Sequence, residues 1–384
     1  MDTLQKKPRI KQDTNCWLLF HKQSGNIYCL GNVQNNKFIK IYENQIKDVR
    51  LMLKLMDGKT TLSKLTKKIN SFNIIALYKT MCKAGLIVGY NSNYKNNEFE
   101  LYSFMICKLS VIKLKTILQN ISKALINPII TSICLIAILI TFTINIISIP
   151  TFMTAPSTYR IFSSDAINLF IYYCISLISI LLHELGHGLF ASKYDIPPSF
   201  FTIALYLYVT PIVYLSIPGI YTKSPKQRIY IWGAGIYVNA IICTVALIVH
   251  AFFDSQLAAL IFVVNLTLIM VNISPLMPLD GYFIACTLLK STNIRSQFLH
   301  PFTKRYWRQS NNYIKLYSVL SLAMMVYIIF TQVNWLSRYF VSAYHDSTTF
   351  FQFIFNIRLL LMAIVIFAFS RLIKWYGKQH TAHG

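Results

Sequence analysis

Two histidines four positions apart, with a glutamate directly after the first, are the side chains in this sequence best suited to chemistry. They are His183 and His187, and the glutamate is Glu184. Residues four apart on a helix lie on one face, so both imidazoles can bind one zinc ion. Glu184 then lies beside the open coordination position. A carboxylate there takes a proton from water and passes it to the leaving amine of a cleaved peptide.

The surroundings of these three residues favour a functional interpretation. They lie in Ala166–Phe190, an apolar segment long enough to cross a bilayer, which takes about 20 residues. An ionisable side chain in such a segment costs roughly 2.5–3.5 kcal/mol on insertion scales, so it is retained where it has a function. The alternative is a buried polar cluster that only holds helices together.

A zinc site with two histidines needs a further protein ligand, and Asp280 is the best candidate. It follows the apolar segment Leu257–Pro278, whose end Pro275 and Pro278 are expected to unwind. At 1.5 Å per residue, His183 lies about 25 Å and Asp280 about 34 Å into their segments. Because both segments are predicted to run towards the cytoplasm, both side chains are expected near that face. Alternatively, Asp280 begins a solvated loop.

The composition excludes a wholly soluble protein. Hydrophobic residues make up 55% of the 384 residues and charged residues 13%, against roughly 25% charged in a typical soluble domain. The net charge is +24, and residues 1–127 hold 21 of the 37 basic and 7 of the 13 acidic side chains. This balance suits nucleic acid, anionic lipid or acidic peptide, although in a membrane protein it mainly sets topology.

The eight cysteines show no C-x-x-C spacing, and the N-terminus lacks the apolar core of a signal peptide.

Six apolar segments are predicted to cross the membrane, and a seventh, Phe200–Pro218, is broken by two prolines. The basic loops all lie on the cytoplasmic side only if this seventh segment enters and leaves there. The predicted fold class is therefore an α-helical membrane protein with six transmembrane helices plus a re-entrant element, and both termini are cytoplasmic. A lipid-facing hairpin is the alternative for the seventh segment. The predicted spans are Pro128–Ile149, Ala166–Phe190, Ile231–Phe253, Leu257–Pro278, Leu316–Trp335 and Phe350–Phe369.

The polar N-terminal region predicts a small α+β, winged-helix-like cytosolic domain ahead of the membrane part. A hairpin is expected from Trp17–His21 and Asn26–Leu30, and a strand from Leu86–Val88. Three helical segments lie between them, with Asp, Thr or Asn at their boundaries and Gly85 after the last. They are Val49–Met56, a helix from Thr60 or Thr61 towards Ile69, and Asn73–Ala84.

The sequence His-Glu-Leu-Gly-His, followed by Asn-x-x-Pro-x-x-Pro-Leu-Asp-Gly, resembles the site-2 protease family of intramembrane metalloproteases. The resemblance covers about residues 128–290. It implies one zinc ion per chain, held by His183, His187 and Asp280, and it implies Glu184 as the catalytic acid and base.

The same resemblance implies two substrate-binding asparagines. Asn272 is expected to line the site, and Asn239 belongs to an Ala-Gly-x-x-x-Asn element that resembles the Ala-Gly-Pro-x-x-Asn element of the family. Ile236 replaces the usual proline of that element, and Tyr282 replaces the usual second glycine after the aspartate. Neither departure affects a metal ligand, but both put the fit of the family's usual substrates in doubt.

The N-terminal stretch LMLKLMDGKTTLSKLTKKI, followed by MCKAGLIVGY, resembles PqqD-like domains, the RiPP recognition elements that bind peptide leaders. The resemblance covers residues 8–90. It implies that an extended leader adds a strand to the sheet and packs against the third helix. DNA-binding winged helices share this pattern of elements, so a structural or DNA-binding role is the alternative.

The combination of the two regions resembles the peptide zinc metalloproteases of epipeptide-type clusters, which modify ribosomally made peptides with radical enzymes. It implies leader removal near the cytoplasmic face, in bacteriocin or RiPP biosynthesis. The implied partners are a precursor peptide, membrane lipid and an exporter, with no nucleic acid. The alternatives are a regulatory site-2 protease acting on a transcription or anti-sigma factor, and a non-proteolytic peptide transporter or immunity protein.

The predicted domains are 1–95 (peptide recognition), 96–127 (basic juxtamembrane linker), 128–290 (zinc core) and 291–384 (two-helix membrane region and basic tail).

Overall fold

A computed structural model gives the fold of the chain. The chain divides into two compact units. The first is formed by Met1–Lys95, Lys108–Thr202 and Val213–Thr292, and the second by Asn96–Cys107, Ile203–Ile212 and Asn293–Gly384. The residues that the structure describes are 3–22, 25–33, 37–69, 73–90, 103–154, 161–206, 210–277, 279–291, 293–294, 311–345 and 347–357.

The N-terminal region begins with a three-stranded antiparallel sheet. Strands β1 (Thr14–Phe20) and β2 (Ile27–Asn32) form the predicted hairpin, and β2 also pairs with β3 (Lys37–Tyr42). The sequence analysis did not predict β3, because Phe38 and Ile39 are adjacent apolar residues and alternation is limited to Ile39-Lys40-Ile41. Ile41 is buried against the helices while Lys40 and Tyr42 on either side of it are exposed, which is the pattern of a half-buried strand.

Three helices follow the sheet: α1 (Glu43–Leu55), α2 (Leu62–Lys68) and α3 (Ile74–Lys83). The predicted boundaries of α2 and α3 are confirmed, because Thr61 accepts a hydrogen bond from the Lys64 amide at 3.4 Å and Asn73 accepts one from the Ala76 amide at 2.9 Å. The first helix begins earlier than predicted. The predicted strand at Leu86–Val88 is reduced to one antiparallel bridge between Ile87 and Ile10. Two backbone hydrogen bonds flank it: the Val88 amide donates to the Arg9 carbonyl at 2.8 Å, and the Lys11 amide donates to the Leu86 carbonyl at 2.9 Å.

Sheet and helices of the N-terminal region share one apolar core that is drawn from this region alone. Its fully buried members include Leu30 from β2, Met52 from α1, Leu65 from α2 and Met81 from α3. Each helix contributes residues three or four apart, as expected of helices with one apolar face. The arrangement is three antiparallel strands covered on one face by three helices, which agrees with the predicted small α+β domain.

The rest of the chain is mostly helical, with one small sheet. Four helices are long and apolar enough to cross a membrane, over Pro128–Asn145, Phe170–Lys193, Pro225–Phe253 and Gln256–Ile273. They make this a membrane protein. The elements are β4 (Ser103–Ser110), α4 (Lys115–Leu125), α5 (Pro128–Asn145), α6 (Ile149–Thr154), α7 (Asp165–Lys193), β5 (Phe200–Tyr206), β6 (Thr210–Ser216), α8 (Pro225–Phe253), α9 (Gln256–Ile273), α10 (Asp280–Leu288), α11 (Asn312–His345) and α12 (Phe350–Asn356).

Helix α8 is the central element of the membrane part, because it packs against α5, α7, α9 and α10. It begins with a capping box, in which the Ser224 hydroxyl accepts from the Gln227 amide and the Gln227 side chain accepts from the Ser224 amide. A proline at its first position fixes the backbone for helix entry. This sharply defined start sets the depth at which the later residues of α8 meet their neighbours.

The other predicted spans have different outcomes. The fifth, Leu316–Trp335, falls within the 34-residue helix α11, and its crossing of the membrane stays a prediction. The sixth lies mostly outside the described residues, as does Arg358. The segment Phe200–Pro218 forms strands β5 and β6, in a sheet of order β4-β5-β6. Re-entry of this segment into the membrane stays a prediction, and so does the cytoplasmic position of the termini.

The sheet of the N-terminal region docks directly on the segment that leads into α8. Arg228, in the first turn of α8, is buried, donates from Nη2 to the Leu19 carbonyl oxygen at 2.5 Å and lies over the Phe20 ring. Tyr221 packs edge-on against Phe38, and its carbonyl oxygen lies 3.6 Å from the Cys29 sulfur. Burial raises the pKa of the Cys29 thiol to about 11, as expected of a contact that excludes water.

This docking predicts the effect of Arg228→Met in the full-length protein. Loss of the guanidinium leaves the Leu19 carbonyl without its donor, and an unpaired buried polar group costs about 1–3 kcal/mol. Hydrogen–deuterium exchange of Thr14–Phe20 should therefore accelerate by about tenfold. Lys226→Met removes an exposed charge from the same turn and should leave the exchange unchanged. Equal exchange in the two variants would show that Arg228 does not hold the sheet.

Candidate metal centre

The two histidines and the aspartate singled out by the sequence converge at one buried point. His183 and His187 lie one turn apart on α7, and Asp280 is the first residue of α10. Asp280 Oδ2 lies 3.0 Å from His183 Nε2 and 3.2 Å from His187 Nε2. The two Nε2 atoms are themselves 3.2 Å apart. All three residues are buried, and among the described residues they form a group able to hold a metal ion.

The spacing of these three atoms fits zinc. Zinc binds imidazole nitrogen and carboxylate oxygen at about 2.0–2.2 Å, which puts tetrahedral ligand atoms about 3.3 Å apart. The observed separations of 3.0–3.2 Å are close to that value. The buried Asp280 Oδ2 also lacks a hydrogen-bond donor, and a buried carboxylate oxygen without a partner is costly unless a cation binds it. The donor set therefore matches the chemistry of a zinc ion.

Each histidine is held at its second ring nitrogen. His187 Nδ1 lies 2.7 Å from the Ile231 carbonyl oxygen on α8, which can only accept a hydrogen bond. Nδ1 therefore carries the proton, and the lone pair of Nε2 points at the metal position. His183 Nδ1 lies 3.1 Å from the amide of Asn239, which is fully buried on α8.

The orientation of the Asn239 amide decides which ring nitrogen of His183 carries the proton. As placed, the nitrogen faces His183 Nδ1, and the buried Oδ1 has no partner. Oxygen and nitrogen of an amide are exchanged by a rotation that leaves the shape unchanged. With Oδ1 towards His183, the imidazole Nδ1–H donates to it and Nε2 is free to bind metal. Both candidate ligand histidines are then oriented by groups on one helix, α8.

Glycines allow α7 and α8 to approach closely enough for these contacts. A Cβ atom on Gly235 of α8 would lie 2.3 Å from His183 Nε2. On the facing helix, a Cβ on Gly186 would lie 2.7 Å from the Val238 side chain and 3.0 Å from the Ala234 carbonyl oxygen. Small residues at a helix crossing permit such backbone proximity in membranes. The imidazole of His183 fills the space that Gly235 leaves.

A tight turn after α9 presents the aspartate to the histidines. Helix α9 ends at Ile273, before Pro275, as predicted from the prolines. A Cβ on Gly281 would lie 2.3 Å from the Ile273 carbonyl oxygen and 2.8 Å from that of Asn272. Only glycine fits there, because the start of α10 lies directly against the end of α9. The close packing of Gly281 against the end of α9 thus fixes the position of the neighbouring Asp280.

Glu184 is positioned by the small sheet. Its Oε2 accepts a hydrogen bond of 2.7 Å from the Leu215 amide in strand β6. Being next to His183 on α7, it places its carboxylate beside the three ligands, and no described lysine or arginine forms an ion pair with it. One oxygen is held by the backbone, so the carboxylate has a fixed orientation while the other oxygen is left to react.

The two predicted substrate-binding asparagines lie in different settings. Asn239 is fully buried and contacts His183, so it lies behind the candidate ligands and not at a surface that a substrate reaches. Asn272 is partly exposed, and its amide nitrogen donates to the Leu268 carbonyl of its own helix at 2.9 Å. Of the departures from the family pattern, Tyr282 is buried and Ile236 partly exposed. Sequence reasoning missed the backbone groups of Ile231 and Leu215, since a carbonyl or an amide leaves no mark in the sequence.

Comparison with known families identifies the central part of this site. Residues 171–257 match Peptidase family M50, the site-2 protease family. The range contains His183, Glu184 and His187 together with Gly235, whereas Asp280 lies beyond it. This part of the chain is therefore similar to Peptidase family M50, whose members are zinc-dependent metalloproteases. Among curated proteins and among solved structures, nothing matches the chain.

The approach of α8 to His183 predicts the effect of Gly235→Ala. The added methyl group overlaps the imidazole, so the ring must turn away or the helices must separate, and zinc affinity should fall at least about tenfold. Metal content of the purified protein measures this. Gly233→Ala is the matched control, because a Cβ there meets nothing within 4 Å, and it should retain zinc. Equal zinc content in both variants would contradict the proposed ligand geometry.

Proposed function

Given an M50 domain at residues 171–257, we propose that this chain is an intramembrane zinc metallopeptidase that removes the leader of a ribosomally synthesised modified peptide. The observation that carries the peptidase assignment is the convergence of His183, His187 and Asp280 at separations of 3.0–3.2 Å. The candidate spans of α7, α8 and α9 surround this point. The leader-peptide assignment rests on the N-terminal region.

The chemistry follows from Glu184 and the three ligands. His183, His187 and Asp280 would hold a zinc ion, which would supply Lewis acidity to the scissile carbonyl and to water. Glu184 takes a proton from the attacking water as the new C–O bond forms. It then gives that proton to the amide nitrogen as the C–N bond breaks, which releases an amine and a carboxylate. The Leu215 amide keeps the Glu184 carboxylate in one orientation throughout.

Peptide recognition by residues 1–95 is supported by the shape of the sheet. Among the described residues, β3 pairs only with β2, so it forms one edge of the sheet. At the other edge, the Leu19 carbonyl of β1 is already bonded to Arg228. An extended peptide can therefore add to β3, the mode that the PqqD-like resemblance implies. Lys40 is exposed on β3, and Lys47 and Arg50 are exposed on α1, which favours an acidic leader.

The docking of the N-terminal sheet on the membrane part links leader binding to cleavage. Arg228 and Tyr221 fix the N-terminal sheet to the segment that enters α8, and α8 also carries Asn239 and Gly235 beside the zinc ligands. A leader held on β3 is therefore tethered to the protease core at a fixed position. Its downstream cleavage site then has a high effective concentration at the metal centre.

Glu184→Gln tests the catalytic assignment. The amide keeps the size of the side chain but cannot accept the proton of the attacking water, so precursor cleavage should fall by about 10²–10⁴-fold while zinc content stays at one per chain. Cleavage of a precursor peptide by purified enzyme in detergent, followed by mass spectrometry, measures this. Asp195→Asn, an exposed change after α7, should cleave normally. A Glu184→Gln variant that keeps full biological function without any cleavage would favour a transporter or immunity protein.

The N-terminal assignment predicts tight leader binding by the inactive full-length Glu184→Gln protein. Fluorescent leader peptides encoded beside the protease should bind at micromolar affinity or better. Adding Lys37→Glu and Lys40→Glu on β3 should weaken binding about tenfold, because the edge loses its positive charge. The same two charge changes at Lys67 and Lys68 on α2 should have little effect. Tight DNA binding without peptide affinity would refute the assignment, and a leaderless membrane-protein substrate would favour a regulatory site-2 protease.

A further inference from the structure

Helix α4 (Lys115–Leu125) lies directly before the first candidate span, and one of its faces is buried while another is apolar and exposed. One face buries Leu118 and Ser122, and the helix packs against α7. The other face presents Ile117, Ile121 and Leu125, whose side chains are 55%, 40% and 54% exposed. Their spacing of four residues places them in one stripe along the helix. A stripe of large apolar side chains open to water is unfavourable, so it requires an apolar occupant.

The stripe is continuous with a surface that lipid covers. Helix α5 begins three residues after α4 ends, with Asn127 capping it by accepting from the Ile129 amide at 2.9 Å. No residue of α5 is buried within the structure, although the helix is apolar and long enough to span a bilayer. Acyl chains are therefore its environment.

The charge around α4 is of one sign. Lys113, Lys115 and Lys123 are exposed on or beside the helix. The sequence contains no Asp or Glu between Glu100 and Asp165, so these ammonium groups have no acidic neighbour along this stretch. At 100° per residue, Lys123 lies about 160° from the centre of the apolar stripe at Ile121. A helix with basic residues opposite an apolar stripe is suited to the surface of an anionic bilayer.

We propose that α4 is an interfacial helix that lies in the headgroup region of an anionic membrane. Ile117, Ile121 and Leu125 enter the acyl boundary, and the lysines contact the phosphates of acidic lipids. The segment that sequence alone describes as a linker is then a lipid-binding element. This element is also attached to α7, because Lys193, the last residue of α7, donates a hydrogen bond to the Ile126 carbonyl oxygen just beyond α4. Anionic lipid thereby holds the end of the helix that carries His183 and His187.

Photocrosslinking of the full-length protein in lipid nanodiscs identifies the occupant of the stripe. A benzophenone amino acid replaces Ile121 in one variant and Thr116 in another, and adducts are weighed by mass spectrometry. Thr116 is exposed but lies about 140° away around the helix. Lipid adducts should form at Ile121 at least about fivefold more often than at Thr116. Equal yields, or adducts at Ile121 with a second copy of the chain, would overturn the proposal.

Selection of anionic lipid is measured separately, in bilayers with equal amounts of phosphatidylglycerol and phosphatidylcholine. Adducts at Ile121 should contain the anionic lipid at least about threefold more often than the zwitterionic one. Lys115→Gln with Lys123→Gln should return the ratio to about one, whereas Lys67→Gln with Lys68→Gln on α2 should not change it. A ratio near one in the unaltered chain would show that no anionic lipid is selected. None of these measurements depends on peptidase activity.

Discussion

The close approach of α7 and α8 is the constraint on which the rest of the structure depends. His183 occupies the space above Gly235, where any larger side chain would overlap its ring. The same crossing brings the Ile231 carbonyl to His187 and the Asn239 amide to His183. One helix thus supplies both the room for the ligands and the groups that select their tautomers.

The sequence was sufficient to single out the three residues that converge, and insufficient for the groups that orient them. His183, His187 and Asp280 are recognisable because their types and spacing are rare in apolar segments, and the structure brings them together. The supports at Ile231 and Leu215 are backbone atoms that any residue would provide. Asn239 was singled out, but its contact with His183 depends on a crossing geometry that no local pattern encodes.

The fold shows the same division between local and distant interactions. Helices α2 and α3 begin where Thr61 and Asn73 cap them, and such caps act within four residues. Strand β3 was missed because its partner β2 gives it regular structure, and its own short run is ambiguous. Phe200–Pro218 was recognised as unsuited to a transmembrane helix from its prolines. Its two strands depend on pairing in the β4-β5-β6 sheet, which spacing alone does not specify.

The bond between Arg228 and the Leu19 carbonyl joins residues 209 positions apart, and this distance has a consequence for biosynthesis. The N-terminal sheet leaves the ribosome long before α8 does, so Leu19, Phe20 and Phe38 lack their later partners while α5, α6 and α7 are synthesised. Nascent chains with such exposed apolar surface tend to associate wrongly. Production of this protein should therefore depend on a chaperone that shields the sheet until the later helices are inserted.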